Sequence, residues 1–140
     1  MGFGQPGASF AIRLPRCETS VERGRLALVE YLEPFVLDAR VINRIEVVLE
    51  ELVSNAVRHA TLADSLSIAA EYSGETISLA VENDGPPFNP LEVAERDAFT
   101  DLEEAPLGGL GIPLIKRLSR SVRYDRVGGN NRVTAEIAVV

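Results

Sequence analysis

Apolar positions along the chain change period several times, and each change marks an element. Phe10, Ile12 and Leu14 alternate with Ser9, Ala11 and Arg13, which predicts a strand ended by Pro15. Thr19 and Glu22 have capping-box spacing and predict a helix to about Leu32, bounded by Pro34. Asp38 is placed to cap a second helix. There Ile42, Ile45, Val48, Leu49, Leu52, Val53, Ala56 and Val57 keep the i, i+3, i+4, i+7 rule throughout. Leu66, Ile68, Ala70 and Tyr72 alternate, Ser73-Gly74-Glu75 turns the chain, and Ile77, Leu79 and Val81 alternate back. This predicts an antiparallel hairpin.

From Asp84 to about Leu107 the chain is rich in Pro and acids and has no period, as expected of a lid or functional loop. Ile112, Leu114, Ile115 and Leu118 predict a short helix. Strands around Val122 to Arg126 and Val133 to Val139 flank a Gly128-Gly129-Asn130-Asn131 turn. The order β-α-α-β-β-loop-α-β-β predicts an α+β fold: a two-layer sandwich, helices on one face of a mixed, mostly antiparallel sheet. Residues 1–140 are expected to form one domain, with a flexible lid around 86–108.

Composition narrows the function classes. The apolar share of 46% suits a packed core; with 6% aromatics and no Trp, that core must be aliphatic. A net charge of −7 argues against general affinity for nucleic acid or anionic membrane. No apolar run approaches the ~20 residues of a membrane span, and no signal-like N-terminus is evident. A lone cysteine, Cys17, fits a reducing compartment, so a cytoplasmic location is expected. As a nucleophile, Cys17 has only His59 for a partner, on a different predicted element.

Three clusters offer chemistry. On the second helix Glu51 and Asn55 are four residues apart and share a face away from the apolar stripe. An amide oxygen at Asn55 suits Mg²⁺ beside phosphates without adding charge, and Glu51 can orient or deprotonate a nucleophile. Arg58 extends this face toward phosphate, whereas His59, nearer the apolar edge, reads equally as a structural hydrogen-bonder. Glu50 points ~100° away from Glu51 and ranks lower. Alone, such a pair is more often a solvated helix face. The second cluster, Asn83-Asp84-Gly85, ends a strand: Gly85 admits a flat ligand or a positive φ, and Asn83 can accept from an exocyclic amine. Alone, it is as readily an ordinary turn. The third, Gly108-Gly109-Leu110-Gly111, leads into a helix and suits a phosphate cradle of backbone N–H groups.

Together, in this order and on these elements, the clusters resemble the N, G1 and G2 boxes of the GHKL ATP-binding superfamily. Glu50-Glu51-Leu52-Val53-Ser54-Asn55-Ala56-Val57-Arg58-His59 is similar to the N box of small bacterial anti-sigma-factor serine kinases; Val81 to Pro90 and Pro106 to Ile112 are similar to their G boxes. The resemblance implies a Bergerat-type site for ATP and Mg²⁺. In it Asn55 would be the metal ligand and Glu51 the general base. Asn83 and Gly85 would lie at the adenine, with Gly108, Gly109, Leu110, Gly111 and Ile112 near the phosphates and Thr134 near the base. It also implies protein partners, namely an anti-sigma-factor antagonist phosphorylated on serine and a sigma factor, and a homodimer is compatible with it. Two alternatives stay open: a nucleotide-dependent interaction module without transfer, and a detached histidine-kinase catalytic domain. One departure stands out: Asn83 occupies a position where the family has aspartate. Lys116, Arg117, Arg120, Arg123 and Arg126 gather charge that reads as a solvated face or a docking surface for an acidic partner.

Overall fold

The computed structural model describes residues 9–92 and 111–140. Its elements follow the order that the periodicity predicts: β1 (Ser9–Pro15), α1 (Thr19–Leu32), α2 (Ala39–His59), β2 (Ser65–Tyr72), β3 (Thr76–Asn83), α3 (Gly111–Leu118), β4 (Ser121–Val127) and β5 (Asn130–Ala138). A 3₁₀ turn, Glu33–Phe35, joins α1 to α2. Most of the lid expected over 86–108 lies outside the described residues.

The five strands form one sheet in the order β1-β2-β3-β5-β4. All four pairings are antiparallel, so the parallel component that a mixed sheet would contain is not found among the described strands. Directly paired residues share a face. One row across the sheet runs Ile12, Ile68, Val81, Val133, Tyr124, and it turns toward the helices. The apolar stripe of α2 covers this face: Ile45, Val48, Leu49, Leu52, Val53 and Ala56 are buried against it. α1 comes close because residue 24 is Gly; a Cβ there would stand 2.5 Å from Ile68 Cδ1. At the other end of the core, Phe10, Tyr31, Phe35 and Tyr72 stack in sequence at centroid separations of 5.3, 5.1 and 4.4 Å.

The helix starts differ in how they are held. Asp38 caps α2 as expected, accepting from the Arg40 N–H at 2.8 Å. The capping box expected at Thr19 and Glu22 does not form. α1 begins after Glu18 with no side-chain cap; Glu22 instead binds Arg25, and the Ser20 hydroxyl donates to Pro15 O at 2.6 Å. The arginine offers a charged partner one turn on, and a charge-assisted bond outcompetes a neutral cap. The Gly128–Gly129 turn is shorter than the four residues expected. Both glycines have positive φ, +57° and +82°, and β5 starts already at Asn130.

Candidate functional site

The next row across the helix-facing side of the sheet is Leu14, Leu66, Asn83, Asn131, Arg126. It is apolar at the β1 and β2 end and polar at the β3, β5 and β4 end. There the C-terminal half of α2 passes overhead. Leu52, Asn55, Ala56 and His59 face Val81, Asn83, Asn131 and Val133 across a cavity closed at its mouth by Phe88 and Pro90. Asn55 and Asn83 thus share one space, as expected from the sequence. The cavity is narrow, ≈ 20 Å³, room for about one water. A flat base enters only if the 86–90 segment moves outward.

Glu51 lies one turn before Asn55, and its carboxylate lies beside the start of α3: a Cβ on Gly111 would stand 2.6 Å from Glu51 Oε2. Neither Glu51 nor Asn55 has a hydrogen-bond or ion-pair partner among the described residues. Glu50 is turned toward α1, 3.9 Å from Arg25, in agreement with its lower ranking. Arg58 is exposed and does not line the cavity, whereas His59 does, its ring stacked near Phe88 at 6.3 Å.

At the end of β3 the two carboxamide-like neighbours go opposite ways, as strand geometry requires. Asp84 accepts from the N–H groups of Asp64 and Ser65 at 2.9 and 3.3 Å, and these bonds hold its carboxyl below the usual range, Ser65 foremost. It is tied to the start of β2 and is not free to replace Asn83 in the cavity. Asn83 Oδ1 accepts from the Gly85 N–H at 3.0 Å, an Asx turn, and a Cβ on Gly85 would stand 3.1 Å from the same oxygen.

Asn131 is the residue that sequence reasoning missed, having been assigned to a turn. It is 3% exposed and makes six hydrogen bonds. Its Oδ1 accepts from the Phe88 N–H, the Tyr124 hydroxyl and Arg126; its Nδ2 donates to Asn83 Oδ1, Gly85 O and Pro86 O. Arg126 adds a bond to Gly85 O at 2.8 Å. The signal was available: Asn131 shares parity with Val133, Ala135 and Ile137, the buried side of β5.

The same parity corrects Thr134. It pairs with Ala80 and Arg123 on the face away from the helices, so it does not reach the cavity beside Val133. The Ile112 side chain is 3% exposed and part of the core, which leaves only its backbone to face a phosphate. Gly108, Gly109 and Leu110 lie outside the described residues. The basic residues do not gather on one face. Arg126 turns inward to Gly85 and Asn131, while Arg123, on the opposite face, pairs with Asp125. Cys17 contacts the Thr19 and Ser20 hydroxyls, which lower its pKa, and no histidine is among these partners. Among the described residues no cluster of three or more His, Cys, Asp or Glu is placed to hold a metal. What the site offers a divalent cation is the one amide oxygen of Asn55, which fits an ion that completes its shell with phosphate and water. No helix among the described residues is long and apolar enough to cross a membrane.

Helices on one face of an antiparallel sheet, with the cavity under the end of α2, define an α+β nucleotide-binding ATPase fold of the GHKL type. The chain belongs to the histidine kinase-like ATPase domain family, whose model matches residues 14–137. Three solved structures show the same fold. The RsbU and RsbW domains of Rv1364c from Mycobacterium tuberculosis match 94% of this chain at 20% identity and TM-score 0.68; the chain spans only 32% of that protein. The SiaB–SiaC complex from Pseudomonas aeruginosa matches 93% of this chain and 89% of its own, at 16% identity and TM-score 0.62. The catalytic domain of histidine kinase ThkA matches 93% of this chain and 97% of its own, at 18% identity and TM-score 0.54. No curated protein matches the sequence.

Proposed function

We propose that this chain is a serine/threonine protein kinase of the anti-sigma-factor type, using a nucleoside triphosphate and Mg²⁺ to phosphorylate a serine on an antagonist protein, and binding a sigma factor. The observation that supports it most is the shared cavity of Asn55 and Asn83, with Glu51 one turn along α2 at the start of α3. Likeness in fold to a chain with an RsbW domain and to the SiaB–SiaC complex favours protein partners.

In this reading Leu52, Ala56, Val81 and Val133 enclose the flat base, and Asn55 would hold the cation. Bound there, Mg²⁺ supplies charge neutralisation on the phosphates. Glu51, unpaired among the described residues, accepts the proton of the acceptor serine. The serine oxygen bonds to the γ-phosphorus as the bond to the β-phosphate oxygen breaks, leaving the diphosphate. Gly111 permits this because a side chain there would collide with the carboxylate.

Glu51→Ala should abolish transfer of labelled γ-phosphate to co-purified partner proteins while nucleotide binding persists. Asn55→Ala should abolish Mg²⁺-dependent binding itself. Transfer that persists in Glu51→Ala removes the residue from its role. Binding without transfer in the wild type would favour the non-catalytic interaction module.

A further inference from the structure

Asn83 is one of the polar groups lining the cavity, with Asn55, His59 and Asn131, and its neighbours fix which of its two atoms is on offer. Asn131 cannot be turned over. Its oxygen faces the Arg126 guanidinium, which cannot accept, and its nitrogen faces the Gly85 carbonyl, and neither partner lies on the 86–90 segment that must move for a base to enter. The atom that Asn131 presents to Asn83 is therefore a donor. The Gly85 N–H is a second donor, and both point at one atom of Asn83 at 3.0 Å. That atom must be the oxygen. The oxygen is consumed within the protein, and Nδ2 makes no hydrogen bond among the described residues. What remains for a ligand in the cavity is an N–H donor.

We propose that Asn83 reverses the polarity of the base-reading contact, so that the site takes purine nucleotides with a carbonyl at position 6 in preference to ATP. The inference rests on the nucleotide-site reading above. A 6-amino group would set donor against donor in a confined space, leaving one of them unpaired; a 6-oxo group accepts the Asn83 N–H. Asp84 cannot restore an acceptor, because the backbone of Asp64 and Ser65 holds it on the other side of the strand. An aspartate at 83 would restore one: one carboxylate oxygen can keep both internal bonds and the other faces the ligand.

The test is a titration of the intact chain with Mg·ATP, Mg·ITP and Mg·GTP, reading the dissociation constant of each, in wild type and in Asn83→Asp. ITP differs from ATP only at the edge in question; GTP adds a 2-amino group and reports on room at that side. Expected is ITP binding about tenfold tighter than ATP in the wild type, the equivalent of one neutral hydrogen bond gained and one clash removed. In Asn83→Asp the order should reverse. Melting of the unliganded variant checks that it folds, and the wild-type ratio stands whether it does or not. ATP binding as tightly as ITP in the wild type, or a ratio unmoved by a folded Asn83→Asp, overturns the inference and leaves the nucleotide site standing. If none of the three triphosphates binds, the site reading falls, and the inference with it.

Discussion

Asn131 joins three strands' ends and the start of the following loop through one carboxamide. Its removal leaves the Gly85 and Pro86 carbonyls, the Phe88 N–H and the Tyr124 hydroxyl without that partner in a partly buried space. Unpaired buried groups cost about 1–3 kcal/mol each. Local relaxation and water entry will recover part of that, so Asn131→Ala should lower stability by about 2–3 kcal/mol in urea unfolding. Asn131→Asp should be no milder, since a carboxylate would face two carbonyls. A loss under about 0.5 kcal/mol, the scale of a neutral surface change, would show that the network is not holding the strand ends. Asp84 gives a pH signature at the same place. Its carboxyl is held below the usual range by the backbone of Ser65 and Asp64, so the charged form is favoured by folding. The stability this contributes is present above the unfolded value of about 4 and is lost as pH falls through the folded value. Asp84→Asn should flatten the stability curve as pH falls below about 4, measured by urea midpoints; a curve that keeps its slope excludes Asp84 as the source. The placement of Glu51, Asn55 and Asn83 was legible in the sequence because each sits on an element with a clear period. Asn131 was not, because the turn before β5 was read two residues too long and left it off the strand. Thr134 lies within the strand as read, where alternation from Val133 already turns it to the opposite face.

At the scale of elements, the apolar periods dictated position and the competition among polar side chains dictated ends. Asp38 makes no ion pair among the described residues and caps α2; Glu22 binds Arg25 and leaves the cap of α1 unmade. The connection between these helices holds a strained residue that composition does not announce. Val36 sits at φ 52° and ψ 53°, the left-handed region, where a β-branched side chain is crowded against its own backbone. The side chain is 89% exposed, so it gains nothing from packing there. Asn tolerates this conformation without the entropy that Gly would add to the unfolded chain. Val36→Asn should therefore stabilise the protein by about 1 kcal/mol, a rise of about 3 °C in melting temperature. A fall in melting temperature would mean that the valine is held there by contacts worth more than the strain.

Across the whole molecule, the two layers meet the site through contacts between residues far apart in the chain, and α2 against α3 is the one with direct bearing on chemistry. Gly111 lies so close to Glu51 that a methyl group in its place overlaps the carboxylate. Gly111→Ala must push the carboxylate aside, and because the obstacle is the far end of a flexible side chain the cost is under about 1 kcal/mol. The same change in a helix otherwise gains up to about 1 kcal/mol from propensity. The two terms have opposite signs, and only the first depends on Glu51. In the Glu51→Ala background the obstacle is gone, so Gly111→Ala should be more favourable there than in the wild type. A double-mutant cycle should return a coupling of about 0.5–1 kcal/mol, above the few tenths seen between independent sites. Additive effects would mean that the carboxylate swings aside at no cost. The proposed base would then have no fixed position against the segment that leads into α3, and pre-organisation of the transfer step would have to come from the bound nucleotide.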